Sequence, residues 1–534
     1  MEKALLVYPE FSPYGFWNYK DVCRLVGAKY PAAPLGMITL ASLLPQEWEI
    51  KLIDMNTSEL FDSDIAWADM VFIGGMLPQQ VNILKLIDRV HGLGKKAVVG
   101  GPDPTSQPDI YRNADYLVLG ETEDTINPFL QDLDGGAESG TYLPQARKPD
   151  ITESPIPRFD LLNFKDYIMI GIQFSRGCPF NCEFCDVIEL YGRNPRTKTP
   201  EQIIKELDTL YRLGYRGHVD FVDDNFIGHK TKSKEILGAV KKWSGDHDYP
   251  FYFSTEASIN LADDEELLGL MEDIDLRYLF IGIESADEEV LKSTKKKQNL
   301  NRKLKDDLYK IYSHGMVVNG GFIIGFDNET SATARLIVDL IISGKICMSM
   351  IGLLYALPNT QLTRRLSREK RLFEESSLLD RNNKNTIDQA TSGLNFVTLR
   401  PRSEIINDYV FILERIYSRK TYFDNCLKFG RVLRNKRKHK QKFIVKLKTL
   451  YSFIKLINKI GIKPSTFYYF WRNIFIIMLT RPSSVEEVVN LMAMYIHFRK
   501  QTGYIVKLMN GNLRDIEEKN TKNKEIEYSL SIKN

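Results

Sequence analysis

At 534 residues, with 43% hydrophobic and 26% charged side chains, the chain has an ordinary globular balance and room for three domains. A net charge of +3 is too small at this size to imply a global attraction to nucleic acid, and no nucleic-acid partner is expected. Six cysteines, three of them within eight positions, exclude a stapled secreted fold and suit a reducing interior.

The start, MEKALLVYPEF, has too short an apolar run for a signal peptide and reads as a first strand. LIVDLIISGKICMSMIGLLYALP is broken by Asp339 and Lys345, so no run approaches the eighteen apolar residues of a membrane span. The expected location is the cytoplasm, with peripheral contact at the inner membrane surface as an added option.

From residue 1 to 145, short apolar runs (ALLVYP, EIKLIDMN, MVFIGGM, KAVVGGPD, YLVLGET) alternate with amphipathic stretches such as Gln80 to Leu93. That pattern predicts a Rossmann-like parallel sheet covered by helices, with ligands outside the carboxyl ends of its strands. Those ends are small and polar: Gly74, Gly75, Met76, Gln79, Gly100, Gly101, Asp103, Thr105, Gly120, Glu121 and Thr122. Glycine there lets a large flat ligand approach the backbone; the plainer use is in tight turns. Between the first strand and a helix, Tyr14, Phe16, Trp17 and Tyr19 wall a pocket or pack a hinge. Residues 146–170, with three prolines and mixed charge, read as a linker.

Residues 171–361 alternate again and predict a partial (β/α)6 barrel. Its first strand, GIQFS, delivers SRGCPFNCEFCDV, where Cys178, Cys182 and Cys185 are spaced by three and two residues in a tight loop. Three thiolates on a four-iron cluster leave one iron open, and an open metal corner is a catalytic one. A zinc site completed by Cys23, Cys347, Cys426 or one of seven histidines is the plainer alternative. Later strand ends carry Asp223, Asp224 and Asn225, then Glu256, then Glu284 and Ser285; Gly321, Ile323 and Gly325 lie on the next strand. Carboxylates recurring in strand phase suit a cationic ligand. Arg176, beside the cysteines, either tunes the cluster or caps a carboxylate.

From residue 362 to 510 long basic helices are expected. Between Arg431 and Lys463 stand twelve Lys and Arg and no acid, with apolar residues at helical spacing, which predicts an amphipathic helix. PSTFYYFWRNIFIIML follows, suited to an interface or a hydrophobic tunnel. A helical cap over the barrel, a dock on anionic lipid and a nucleic-acid surface are the three readings of this region, the last disfavoured by the absence of any RNA-binding motif. Residues 511–534 read as a mobile polar tail.

The cysteine loop resembles the CxxxCxxC signature of the radical S-adenosylmethionine (SAM) enzymes. GGPDPTSQPDIYRNADYLVLGETED resembles the cobalamin-binding domain of the cobalamin-dependent (class B) branch, and the aromatic insertion resembles the subfamily that includes hopanoid C-2 methylases. The resemblance implies a [4Fe-4S] cluster on Cys178, Cys182 and Cys185, with SAM chelating its open iron. It places Asp223, Asp224 and Asn225 near the SAM amino group, Glu256 and Glu284 near its ribose and methionine parts, and Gly321, Ile323, Gly325 and Phe184 beside the adenine. It gives the strand ends from Gly74 to Thr122 to cobalamin. No histidine stands in a DxHxxG motif, so the cobalt is expected to lack a protein imidazole.

The activity implied is methyl transfer to an unactivated carbon, with a hopanoid-like lipid as the substrate guess and flavodoxin or ferredoxin as electron donor. One SAM would methylate cob(I)alamin and a second would yield the deoxyadenosyl radical. A radical rearrangement or cyclisation without methyl transfer, and a non-catalytic cobalamin or iron-sulfur sensor, are the alternatives.

Overall fold

The computed structural model describes residues 2–145, 148–373, 390–439 and 443–532. The first 145 residues supply β1 (Lys3–Tyr8), β2 (Tyr30–Ala32), β3 (Glu49–Asp54), β4 (Met70–Gly74), β5 (Lys96–Gly100), β6 (Tyr116–Val118) and β7 (Gly140–Tyr142). Six of these form a parallel sheet in the order β3-β1-β4-β5-β6-β7. Its strands read as continuous apolar runs because both faces are buried: Leu5, Val7, Val71 and Ile73 lie in one core, and Ala4, Leu6, Met70 and Phe72 in another. The helix Gln80–Gly92 covers one face by burying Ile83, Leu86, Ile87 and Val90, one stripe at helical spacing.

The remaining strands are β8 (Tyr167–Ile172), β9 (Ser175–Arg176), β10 (Arg196–Thr197), β11 (Gly217–Phe221), β12 (Phe251–Glu256), β13 (Leu276–Glu284), β14 (Val317–Ile324) and β15 (Met348–Leu353). They build a seven-stranded parallel sheet, β15-β14-β13-β12-β11-β8-β2, with β9 and β10 as a separate antiparallel pair. This is the predicted partial barrel of six strands with β2 added at the β8 edge. In the sequence, Tyr30–Ala32 falls inside the aromatic insertion and carries no strand signal of its own. The strand is too short to announce itself, and the insertion exists to carry the chain from one sheet to the other.

At the opposite edge, the Tyr417 hydroxyl donates to Ser349 O at 2.6 Å and accepts from Ser349 N at 3.1 Å, so a phenol satisfies backbone that a further strand would otherwise pair. The helices Arg402–Ile416 and Arg419–Val432 continue the barrel's apolar core through Ile405, Tyr409, Ile412, Tyr422 and Phe429.

Two expectations for the C-terminal region change. The basic run from 431 to 463 is not one amphipathic helix. After Val432 the chain leaves helix, resumes it over Phe443–Leu456 and ends in a π-helical turn, Ile457–Gly461. The reason is electrostatic: Lys436 pairs with Glu272 at 2.8 Å, Lys438 with Asp273 at 2.9 Å, and Arg437 with buried Glu487, which holds residues 433–439 across the amino end of the barrel. Residues 511–532, expected to be an irregular polar tail, are helical and continue the helix Val485–Ile532, with no proline after Pro482 to interrupt it; their mobility is a separate matter from their secondary structure.

Candidate functional site

The cysteine loop is fastened at several points before any cofactor is considered. Gly177 has φ +96°, and a Cβ there would stand 2.8 Å from Gly192 O; the close approach lets Cys178 N donate to that same carbonyl at 3.2 Å. Buried Asp223 accepts from Phe174 N at 3.1 Å, from the Ser175 hydroxyl at 2.5 Å and from Ser175 N, which clamps the chain as it leaves β8. Glu183 N donates to Thr294 O at 3.0 Å, and Arg365 Nε donates to the Glu183 carboxylate at 2.6 Å. The loop is therefore tied both to its own strand and to the far side of the barrel.

Around the sulfurs the donors suit thiolates. Asn225 Nδ2 lies 3.8 Å from Cys178 Sγ, and Gln298 Nε2 lies 3.7 Å from Cys182 Sγ. Lys296, paired with Glu284 at 2.8 Å, has its ammonium 6.0 Å from the centre of the Phe184 ring. Burial pulls the Lys296 pKa down, and the Glu284 carboxylate and Cys182 more than offset it, so the ammonium stays charged. All three cysteines are free of disulfides, and burial pushes the Cys178 and Cys185 thiols up, so ligation must displace their protons.

Among the described residues no three His, Cys, Asp and Glu side chains converge on a single ion. The three free thiols with amide and ammonium donors fit the [4Fe-4S] group. Gln298 Oε1, buried with no partner in the protein, leaves an acceptor open beside it.

The strand-end acids come together. Burial, and then the charges of Asp224, Asp220 and Glu284, push Glu256 up to about 8; burial and Asp186 push Asp224 up to about 6; Asp223 is pushed up to about 7, chiefly by burial. A cleft with so many carboxylates and one lysine is short of positive charge, a deficit that a bound ammonium and sulfonium would fill.

Glu284 has φ +65° at a register shift of β13, and its carboxylate lies where a Cβ on Gly282 would be. Gly321 and Gly325 leave room for their own neighbours: a Cβ on Gly321 would meet the Phe280 ring at 2.8 Å and one on Gly325 would meet Leu394 at 2.5 Å, and Ile323 between them is half-buried.

The amino-terminal strand ends are equally engaged within the protein. Gly101, at φ +102°, packs its α-carbon against the Gly75 carbonyl; a Cβ there would be 2.9 Å from that oxygen. Cβ atoms on Gly74, Gly100 and Gly120 would meet Met37, Val118 O and Pro144 at 2.6 Å each. Gln79 Nε2 donates to Pro9 O at 2.6 Å and its Oε1 accepts from Met76 N. Asp103 accepts from Gln80 and Gln107 at 3.0 and 2.9 Å and from the Tyr111 hydroxyl. Thr105 Oγ1 accepts from Gly120 N at 2.8 Å, Thr122 opens the helix Thr122–Asp134, and Met76 stays exposed. The outcome is a set of strand ends where backbone and small side chains pack closely on one another.

Glu121 belongs to the interface between the sheets. Its carboxylate accepts from Arg196 at 2.7 and 2.9 Å and from Arg176 at 2.8 Å, while Arg176 also makes two bonds to Glu123 at 2.8 and 2.9 Å. Arg176 thus caps carboxylates. Asn359 Nδ2, beyond β15, donates to Ser106 O at 2.9 Å. The carboxyl ends of the two parallel sheets therefore face one another across one cleft. The aromatic insertion packs between the barrel and the helix that begins at Val485: Trp17 lies on Phe280 of β13, Phe16 on Phe498 and Tyr14 on Tyr504, with ring centres 5.3, 5.4 and 4.0 Å apart, and Tyr19 lies against His497.

A family model described as the radical SAM superfamily matches residues 172–341, and one described as a domain of unknown function (DUF4070) matches residues 360–509. An uncharacterized methyltransferase of Synechocystis sp. is 42% identical over 99% of this chain and 97% of its own length. The hopanoid C-2 methylase of Rhodopseudomonas palustris is 37% identical over 70% of this chain and 72% of its own. The chain belongs to the radical SAM methyltransferases.

Solved structures share the fold. The cobalamin-dependent SAM radical enzyme OxsB matches with a TM-score of 0.59 at 16% identity over 97% of this chain and 81% of that one. The radical SAM methyltransferase TsrM from Kitasatospora setae matches at 0.57 and 15% over 69% and 76%. A [4Fe-4S] cluster and SAM are the cofactors of this family. Lys296, Gln298, Arg196 and Arg365 stand beside the cysteine loop and the carboxylates and were not among the residues expected from the sequence. No helix among the described residues is long and apolar enough to cross a membrane.

Proposed function

We propose that this radical SAM methyltransferase is cobalamin-dependent and transfers a methyl group to an unactivated carbon of a polycyclic, hopanoid-like lipid. The observation that carries the reading is the apposition of the two strand-end surfaces through Arg176, Arg196, Glu121 and Glu123. A reactant held between them touches both cofactor sites, which is the proximity that methyl transfer to an unreactive carbon demands. Cobalamin would rest on the strand ends at Gly74, Gly75, Met76, Gly100, Gly101 and Gly120. The donor set suits a cobalt without a protein imidazole, since the one histidine of the first sheet's domain, His91, is held by Asp115 at 2.8 Å.

When bound, the cluster and SAM supply the hydrogen-abstracting radical and cobalamin supplies the methyl group. The chain's own residues do the rest. Cys178, Cys182 and Cys185 hold three irons, and Asn225 and Gln298 orient the sulfurs. Glu256, Asp224 and Glu284 attract the cationic ends of SAM. An electron donor of flavodoxin or ferredoxin type and contact with the membrane that holds the lipid complete the proposal.

The test is an anaerobic assay with methyl-labelled SAM, cobalamin and lipid extracts, run beside Cys182→Ala. Labelled lipid that requires cobalamin, with deoxyadenosine as co-product, is expected. Deoxyadenosine without labelled lipid would remove the lipid substrate, and labelled product surviving in the variant would remove the cluster assignment.

A further inference from the structure

The helix Phe467–Thr480 is apolar apart from Arg472, which pairs with Asp424 at 2.6 Å, Asn473 and Thr480, yet the protein covers only one side of it. Phe470, Asn473, Ile474 and Ile477 are buried, and Asn473 Nδ2 donates to Phe423 O at 2.7 Å, which fixes the rotation of the helix on Arg419–Val432. That leaves Phe467, Tyr468, Phe475, Met478 and Leu479 each more than 50% exposed. A contiguous exposed apolar patch of this kind marks a surface that something else covers.

The patch continues beyond the helix. Trp471 Nε1 donates to Gly461 O at 3.0 Å, while Thr466 N and Phe467 N donate to Lys463 O, which draws the turn with Lys459, Ile462 and Lys463 against the helix start. Phe453 packs on Phe470 with ring centres 6.4 Å apart, which joins this helix to the preceding one, Phe443–Leu456, where Leu450 and Tyr451 are exposed.

Charge decides what covers it. From 443 to 485 the sequence has seven Lys and Arg and no Asp or Glu, a surplus larger than the +3 of the whole chain. Lys448, Lys459 and Lys463 are exposed. Farther back, Lys436 and Lys438 are paired with acids at the foot of the barrel, so the run divides into a part that fastens the cap and a part that faces outward. Aromatic rings with one polar tip, aliphatic side chains between them and a lysine border are the composition that inserts shallowly at a headgroup boundary.

We infer that the helices Phe443–Leu456 and Phe467–Thr480, with the turn between them, dock on an anionic phospholipid bilayer. The surface rests on the proposed lipid substrate for its purpose only, since binding to vesicles needs neither cofactor nor turnover.

The experiment is cosedimentation of the full, cluster-loaded chain with vesicles of phosphatidylcholine alone and of phosphatidylcholine mixed with phosphatidylglycerol. Binding to the anionic vesicles, weakened by added salt, is expected. Phe475→Glu combined with Met478→Glu should lower the bound fraction at least about tenfold, and each of Lys459→Ala and Lys463→Ala about fivefold at low salt. Iron content and the visible absorption of the cluster should stay at wild-type values, which separates lost docking from lost folding. A wild-type chain that ignores anionic vesicles, or variants that bind them as the wild type does, would overturn the inference. So would a wild-type dimer in light scattering that the double variant makes monomeric without altering vesicle binding, since the patch would then face a second copy. Vesicle binding together with an inactive lipid assay would leave the dock standing and remove only the lipid substrate.

Discussion

Replacing Arg176 with methionine should remove one of the ties between the two sheets while leaving every cluster ligand in place. The guanidinium is almost buried and makes four bonds, to Gln173, Glu121 and twice to Glu123, at 2.8 to 2.9 Å. Burial raises the Glu123 pKa, and the Arg176 bonds more than offset it, holding the carboxyl down at about 2 from an ordinary 4.5. At 1.36 kcal/mol per unit, that difference corresponds to about 3 kcal/mol, the low end of the cost of stripping one partner from a buried ion pair.

The sign follows from the depressed value. The contribution is present above the unfolded pKa near 4.5 and is lost as pH falls through about 2. Urea unfolding at neutral pH should therefore show Arg176→Met less stable by about 3 kcal/mol. Adding Glu123→Gln should return more than half of that loss, because no uncompensated charge then remains buried. Glu121 keeps Arg196 in either variant. A loss below about 1 kcal/mol, the scale of a surface pair, or a double variant no better than the single one, would refute the view that this pair joins the sheets.

Gly177→Ala should lower iron incorporation during anaerobic reconstitution with all three thiols still titratable, since φ +96° and the 2.8 Å approach to Gly192 O leave a Cβ no place; normal loading would mean the loop relaxes freely. Glu256→Gln should flatten the pH dependence of apo-protein melting. A carboxyl raised to about 8 contributes stability that is present below about 4.5 and lost as pH rises through 8, so the wild-type melting temperature should fall over that window and the variant's should fall less. In the same titration SAM should raise the wild-type melting temperature more at pH 8 than at pH 6; equal slopes for the two proteins would remove Glu256 from the charged cleft.

The barrel and the first sheet were legible because period-2 and all-apolar strands, cut by glycine and acid, leave a strong local signal; YLFIGIES and NGGFIIGFD became β13 and β14. The cysteine loop was legible for a related reason, since its chemistry is compressed into eight positions. What escaped was assembled across distance. The strand Tyr30–Ala32 pairs with Tyr167 and Met169, more than a hundred residues away, and nothing local to three residues marks it. Lys296 and Gln298 reach the site from a segment that carries no motif of its own, and the basic run after Arg431 was divided by acids at 272–275 that only folding brings near.

The strand-end signal itself has two physical sources, and the first sheet separates them. A ligand shelf and a domain interface both require glycine where backbones meet and acids where charge must be matched. Gly75 and Gly101 meet each other, Asp103 is saturated by Gln80, Gln107 and Tyr111, and Glu121 answers arginines of the barrel. Each of these interactions holds the strand ends in place within the protein. The same residues that the sequence suggests for a ligand are thus also the ones that fasten the strand ends to each other and to the barrel. A cleft reached from two sheets can hold reactants in register only when those strand ends are rigid, and the arginine and glutamate bonds across it are what make the two strand-end surfaces one site.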